Sequence, residues 1–276
     1  MTHDHAADGR ADVPAPGEPV VVAEGLTLGY GSRIALRDAT FRIPAGRITA
    51  IIGPNGSGKS TVLHAISGLN TPMSGRLEVL GTDPVGARPR LSYVLQYTTI
   101  PKGTPLTVAE AVGMGRYSRL GLLRRRSDHD RQRVSRAMAD LEIGDLADRH
   151  LSELSGGQRQ RVYVAQGIAQ DHDVLLLDEP LTGLDLVSAR AIDRIIHGGP
   201  VRGCCVILTT HDLEEAKAAD HVLLLGGGRV LDGAPEDVLT MENLQQAYGL
   251  GALHKADREA PQLPTEHHHP EEGPPA

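Results

Sequence analysis

Gly53-Pro-Asn-Gly-Ser-Gly-Lys-Ser60 matches the pattern G-x-x-x-x-G-K-[ST] in full. Its three glycines let the backbone curl until successive N–H groups point inward, a cradle for phosphate oxygens. Lys59 adds a point charge for β- and γ-phosphates, and the Ser60 hydroxyl can ligate Mg2+. The flanks agree. Arg47-Ile-Thr-Ala-Ile-Ile52 is a short apolar run of buried-strand type, and residues 60–68 read as a helix ended by Gly68. Phosphates bound here would sit on the helix N-terminus, where orphan N–H groups and the helix dipole favour anions.

A second anion site is encoded by Leu154-Ser-Gly-Gly-Gln158. Ser155 and Gln158 form an S-x-x-Q capping box, which predicts a helix running toward Ala169. Gly156 and Gly157 leave its first N–H groups uncovered; an ordinary N-cap with a flexible entry has the same pattern. Val174-Leu-Leu-Leu-Asp-Glu-Pro180 reads as a central parallel strand with acids at its carboxyl end. Asp178 can hold Mg2+, directly or through water, and Glu179 is then placed to polarise an attacking water.

Gln96 follows the apolar run Leu91-Ser-Tyr-Val-Leu95, and a neutral amide there can touch both Mg2+ and water. His211 follows Val206-Ile-Leu-Thr-Thr210, where an imidazole can hydrogen-bond a γ-phosphate or position water. Taken singly, each also fits a structural role. Together with the two acids they fall at predicted strand ends, the edge where open α/β sheets bind ligands.

On these motifs the chain resembles the nucleotide-binding subunit of an ATP-binding-cassette (ABC) transporter, over about residues 20–250. They stand in the family's order: phosphate loop, Gln96, Leu154-Ser-Gly-Gly-Gln158, Asp178-Glu179, Gly183-Leu-Asp185, His211. The Ser-Gly-Gly-Gln signature is specific to that superfamily, whereas the phosphate loop alone is not. The resemblance implies an α/β fold: a P-loop NTPase core, an edge antiparallel β subdomain and an inserted α-helical subdomain at about 98–156. It implies an ATPase using ATP and Mg2+. ATP would be bound by Gly53, Pro54, Asn55, Gly56, Ser57, Gly58, Lys59, Ser60 and Thr61. Mg2+ would be held by Ser60, Gln96 and Asp178, with Glu179, His211 and Gln96 catalytic.

Tyr30, between Gly29 and Gly31, falls where the family places an adenine-stacking aromatic. In a chain with one Phe, six Tyr and no Trp, core packing explains this Tyr poorly, and a plain strand-end Tyr is the other reading. The resemblance also implies that Ser155, Gly156, Gly157 and Gln158 act in trans. Two copies pair head to tail, each signature caps the γ-phosphate held by the other, and Asp185 reports across the interface. The implied partners are a second copy, membrane permease subunits and, indirectly, an exported substrate-binding protein. The implied location is the cytoplasmic face of the membrane, held peripherally.

Composition agrees. A length of 276 residues suits one such domain, and a net charge of −7 argues against a general nucleic-acid binder. The sequence has no run of about twenty apolar residues and no charged-then-apolar leader pattern. Cys204 and Cys205, adjacent in a predicted strand, point to opposite faces and read as core thiols of a reducing compartment.

Along the chain, residues 1–19 and 251–276 read as disordered tails. Residues 20–52 supply edge strands and the strand entering the phosphate loop, and residues 75–96 two more. Thr107-Val-Ala-Glu110 is a capping box opening a helix toward Met114. Residues 127–141 form another, with Val134, Met138 and Leu141 on one face. Strands and helices then alternate from Val174 to Tyr248.

The segments 105–116 and 242–249 look like those of manganese, zinc or related metal importers; iron-chelate and cobalamin importers share the architecture. Two departures stand out: Leu95 occupies a position often held by proline, and Thr98-Thr-Ile-Pro101 lacks a frequent acid. His3, His5 and His267-His-His269 can bind Zn2+ or serve as solvated tails. Arg124-Arg-Arg126 reads as a lipid or permease contact or a solvated basic turn. A cassette protein of translation or DNA repair is the rival class. The first usually carries two cassettes and the second long coiled-coil inserts, and neither is present here.

Overall fold

Alternating inward apolar and outward polar residues build two long strands, β1 (Pro19–Tyr30) and β2 (Arg33–Pro44), which pair antiparallel. With β4 (Ser74–Val79) they form a three-stranded sheet of order β2-β1-β4. The computed structural model describes residues 14–15, 18–96, 104–117 and 127–249. Most of the 1–19 tail, the 251–276 tail, His3, His5, His267–His269, Arg124–Arg126 and Thr98–Pro101 lie outside the described residues.

A second sheet carries β3 (Ile48–Ile52), β5 (Leu91–Val94), β6 (Val174–Asp178), β7 (Cys205–Thr210), β8 (His221–Gly226) and β9 (Arg229–Gly233). Their order is β5-β6-β7-β3-β8-β9, parallel except for β9. Helices cover one face and a single helix with the three-stranded sheet covers the other, so the inner strands β3, β6, β7 and β8 are largely continuous apolar runs rather than alternating ones. Leu175, Leu177, Val206, Leu208, Val222 and Leu224 pack into one core, and Leu176, Ile207, Leu223 and Leu225 into the other. The second core lies between the two sheets and is filled by α1 (Lys59–Ile66), whose Val62, Leu63 and Ile66 are fully buried. Each such side chain contributes about 1.5–3 kcal/mol of burial.

Two expectations need correcting. Cys204 lies one residue before β7 rather than inside it, although the two thiols do enter opposite cores. Burial pushes both thiols up in pKa. The strand–helix alternation also breaks at β8–β9, a hairpin turning through Gly227-Gly228. Gly-Gly between two apolar runs is a hairpin signal, and it outweighed the alternating pattern.

Short α2 (Pro84–Ala87) leads toward β5, and α3 (Val108–Met114), α4 (Asp128–Asp140) and α5 (Gly156–Ala169) follow. All of α3, α4 and α5 start from capping boxes: Thr107 with Glu110, Ser127 with Asp130, and Ser155 with Gln158. Val134, Met138 and Leu141 are buried together, as their spacing predicted. Arg116, only 4% exposed, pairs with Asp130 at 2.9 Å and Asp171 at 3.0 Å and ties the three helices together. The chain ends in α6 (Leu186–Val201), α7 (Leu213–Lys217), α8 (Pro235–Val238) and α9 (Met241–Tyr248). No helix among the described residues is long and apolar enough to cross a membrane.

Candidate nucleotide site

Strand order decides what meets at the sheet's carboxyl edge. β3 lies between β7 and β8, and β7 beside β6, so the loops after β3, β6 and β7 emerge side by side. They carry the glycine-rich loop, Asp178-Glu179 and His211, and β5 adds Gln96 from the far side of β6.

The glycine-rich loop ends at Gly58, the N-cap of α1, with φ 101 and no side-chain cap. A Cβ is strained at that φ, and a cap side chain would compete for the N–H groups that phosphate needs. Lys59 is 7% exposed, and its Nζ donates to the Gly53 carbonyl at 2.8 Å and the Pro54 carbonyl at 3.3 Å. Burial lowers its pKa, while the charges of Glu179 and Asp178 oppose that shift. The Ser57 hydroxyl is buried with no partner, a costly state that a phosphate oxygen would relieve.

Asp178 is the hub. It accepts from Ser60 Oγ at 3.2 Å, from Thr209 Oγ1 at 2.6 Å and from Tyr93 Oη at 3.4 Å. A carboxylate and a hydroxyl converging beside a cationic phosphate loop suit a hard, oxygen-seeking cation such as Mg2+. Glu179 sits next to it at φ 45, a conformation sparsely populated by non-glycine residues. Its N–H donates to Thr209 Oγ1 at 2.9 Å. Its Oε2 accepts from Gln96 Nε2 at 2.6 Å and lies 3.7 Å from His211 Nδ1. The four predicted strand-end groups therefore do come together, with Glu179 at their centre.

Tyr30, 54% exposed, forms one wall of a cleft of about 410 Å3 over the phosphate loop. Arg33, Ile34 and Ala35 continue that wall, and Asn55, Gly56, Lys59, Ser60, Thr61 and Glu179 line the rest. The cleft joins an aromatic face at one end to phosphate and cation donors at the other.

Ser155, Gly156, Gly157 and Gln158 do not line this cleft. Ser155 and Gln158 form their capping box as expected, at 3.2 and 3.0 Å. Gly156 opens on free space, but Gly157 does not. A Cβ there would collide with the carboxylate of Asp185 and the hydroxyl of Ser188. The glycine thus answers to close packing inside the chain as well as to a bare helix start. Asp185 itself caps α6, accepting from Ser188 N and Ser188 Oγ, both at 2.9 Å.

Sequence reading missed Thr209 and Tyr93. A hydroxyl inside an apolar strand was the sole signal for Thr209. Tyr93 had none, because it joins the site only through its long-range contact with Asp178.

The family profile for ABC transporters matches residues 36–182. The manganese transport system ATP-binding protein MntB of Bacillus subtilis (strain 168) is 37% identical over 230 residues, covering 83% of this chain and 92% of that relative. The zinc transport system ATP-binding protein TroB of Treponema pallidum (strain Nichols) is 40% identical, covering 83% and 86%. A solved structure of a metal-chelate type ABC transporter in an inward-facing conformation superposes with a TM-score of 0.73 at 30% identity, covering 83% of this chain and 89% of that one. With its phosphate loop and paired acids at one sheet edge and its signature opening α5, the chain belongs to the ABC transporter family, as one of its ATP-hydrolysing subunits.

Proposed function

We propose that this subunit powers import of a divalent metal ion, manganese or zinc, through a separate membrane permease. The observation that carries the ATPase part is the convergence on Glu179 of Gln96 and His211, beside Lys59, Ser60 and Asp178. The substrate rests on the similarity to MntB and TroB.

In this reading Lys59, Ser57 and the backbone of residues 53–61, through every N–H but that missing at Pro54, hold the triphosphate, and Tyr30 stacks on the base. Ser60, Asp178 and Gln96 hold Mg2+, which neutralises phosphate charge. Glu179 polarises the attacking water, and His211 orients it or contacts the γ-phosphate. Residues 20–250 form the ATPase domain, with the helical subdomain at about 98–156. Ser155, Gly156, Gly157 and Gln158 cap ATP held by a second copy, and Asp185 lies at that interface. The subunit works at the cytoplasmic face of the membrane with permease subunits and, indirectly, an exported binding protein.

Reconstituting the chain with a membrane permease partner and testing ATPase stimulation ion by ion checks the substrate. Stimulation by Mn2+ or Zn2+ is expected. Stimulation by an iron chelate alone would favour the second reading, which the resemblance to a metal-chelate type transporter supports.

A further inference from the structure

His64 lies on α1, five residues beyond Lys59, and takes part in neither the phosphate loop nor the acid cluster. Its Nδ1 is 2.6 Å from the Tyr30 hydroxyl. Its ring stands edge-on to Tyr30, with centroids 6.5 Å apart at 83°. On its other side it stands edge-on to Tyr93, at 5.8 Å and 71°. Tyr93 in turn donates to Asp178 at 3.4 Å. One imidazole therefore joins the aromatic wall of the cleft to the residue that anchors its cation end.

The arrangement has a physical consequence for Tyr30. That residue ends β1, is 54% exposed, and projects from a strand end with solvent beside it. An unanchored ring would turn about two side-chain torsions and lose that freedom on binding, which weakens affinity. A hydrogen bond between its hydroxyl and an imidazole fixed to α1 and braced on its far side by Tyr93 settles that orientation in advance. The bond reaches back into α1, the same helix that presents Lys59 and Ser60. The base platform and the phosphate donors are thereby held in fixed relation.

We propose that His64 is a positioning residue for nucleotide binding, which pre-orients Tyr30 against the base. This rests on the reading of the cleft as the ATP site with Tyr30 as its base platform. The residue acts through Tyr30 and touches no reacting atom.

The test is the affinity of the full-length chain for Mg-ATP by titration calorimetry, with each variant's melting temperature measured alongside. His64→Ala and Tyr30→Phe each remove the bond and leave an aromatic ring at position 30, and each is expected to weaken affinity about threefold to tenfold. The double variant should be no weaker than either single one, because both delete the same interaction. His64→Asn, whose amide reaches where Nδ1 stands, should restore most of the affinity. Parent-like affinity in His64→Ala, multiplying losses in the double variant, or no restoration by Asn would overturn the proposal. Tyr30→Ala separates the two levels: if even this variant binds like the parent, the base-platform reading fails. If only Tyr30→Ala weakens binding, that reading stands and His64 has no part in it.

Discussion

The hydroxyl of Thr209, at the end of β7, donates to the carboxylate of Asp178, at the end of β6, at 2.6 Å. The same oxygen accepts the Glu179 N–H at 2.9 Å, so one fully buried side chain holds both acids. Glu179 needs that support, since its φ of 45 costs about 1–3 kcal/mol and persists only where surrounding contacts offset that strain. Thr209→Val keeps the shape and deletes both bonds. Turnover should fall about tenfold and stability by about 1–3 kcal/mol, while Thr209→Ser retains most of both. Steady-state ATPase assays and thermal melts check this.

Glu179→Gln keeps size and hydrogen-bonding capacity but loses the negative charge. A positioned base contributes about 10²–10⁴-fold, so turnover should fall by about that factor while ATP still binds. An ATP-trapped dimer should accumulate on a sizing column. Parent-like turnover would remove Glu179 from the chemistry.

Lys59→Ala acts one step earlier. It deletes the buried cation of the glycine-rich loop, so under the proposed reading nucleotide affinity itself should fall. Binding of a fluorescent ATP analogue separates this lesion from that at Glu179. Equal affinity in variant and parent would place the phosphates elsewhere.

The signature lies away from its own chain's cleft, which motivates a mixing experiment. In a heterodimer of a Ser155→Arg chain with a Lys59→Ala chain, a trans arrangement puts both lesions in one composite site and leaves the other intact. ATPase activity above both parent homodimers is the expected result. With a cis arrangement each chain keeps its own damaged site, and mixing restores nothing.

Arg116 is a structural test case. Arg116→Leu leaves Asp130 buried without its cation and should destabilise the fold by about 3–5 kcal/mol, read by chemical denaturation. Hydrogen bonds from Ser127, and then from Arg116, hold the Asp130 pKa down to about 2. Because the folded value lies below the unfolded one, its stabilisation is complete above about pH 4 and is lost as pH falls toward 2. The parent should lose stability across that window, and Asp130→Asn should lose less.

Local spacing along the chain was enough for the pieces that carry their own geometry. Gly58 can offer no side-chain cap to the helix that starts at Lys59, and as a glycine it takes φ 101 without strain, while Lys59 reaches back only to its own loop. Thr107/Glu110 and Ser155/Gln158 close capping boxes over three residues, and Val134, Met138 and Leu141 share a face through helical spacing. Val174-Leu-Leu-Leu177 is apolar throughout because both its faces are covered, and the acids follow at the strand's carboxyl end. Each of these features is local, so periodicity and spacing expose it. Tertiary structure alone decided the rest. Thr209 meets Asp178 across 31 residues, Tyr30 meets His64 across 34, and Gln96 meets Glu179 across 83. Gly157 has no Cβ because the Asp185 carboxylate comes to rest against it. Such pairings depend on strand order and register, which place distant residues side by side, and no local spacing encodes which hydroxyl, ring or amide will arrive beside which acid.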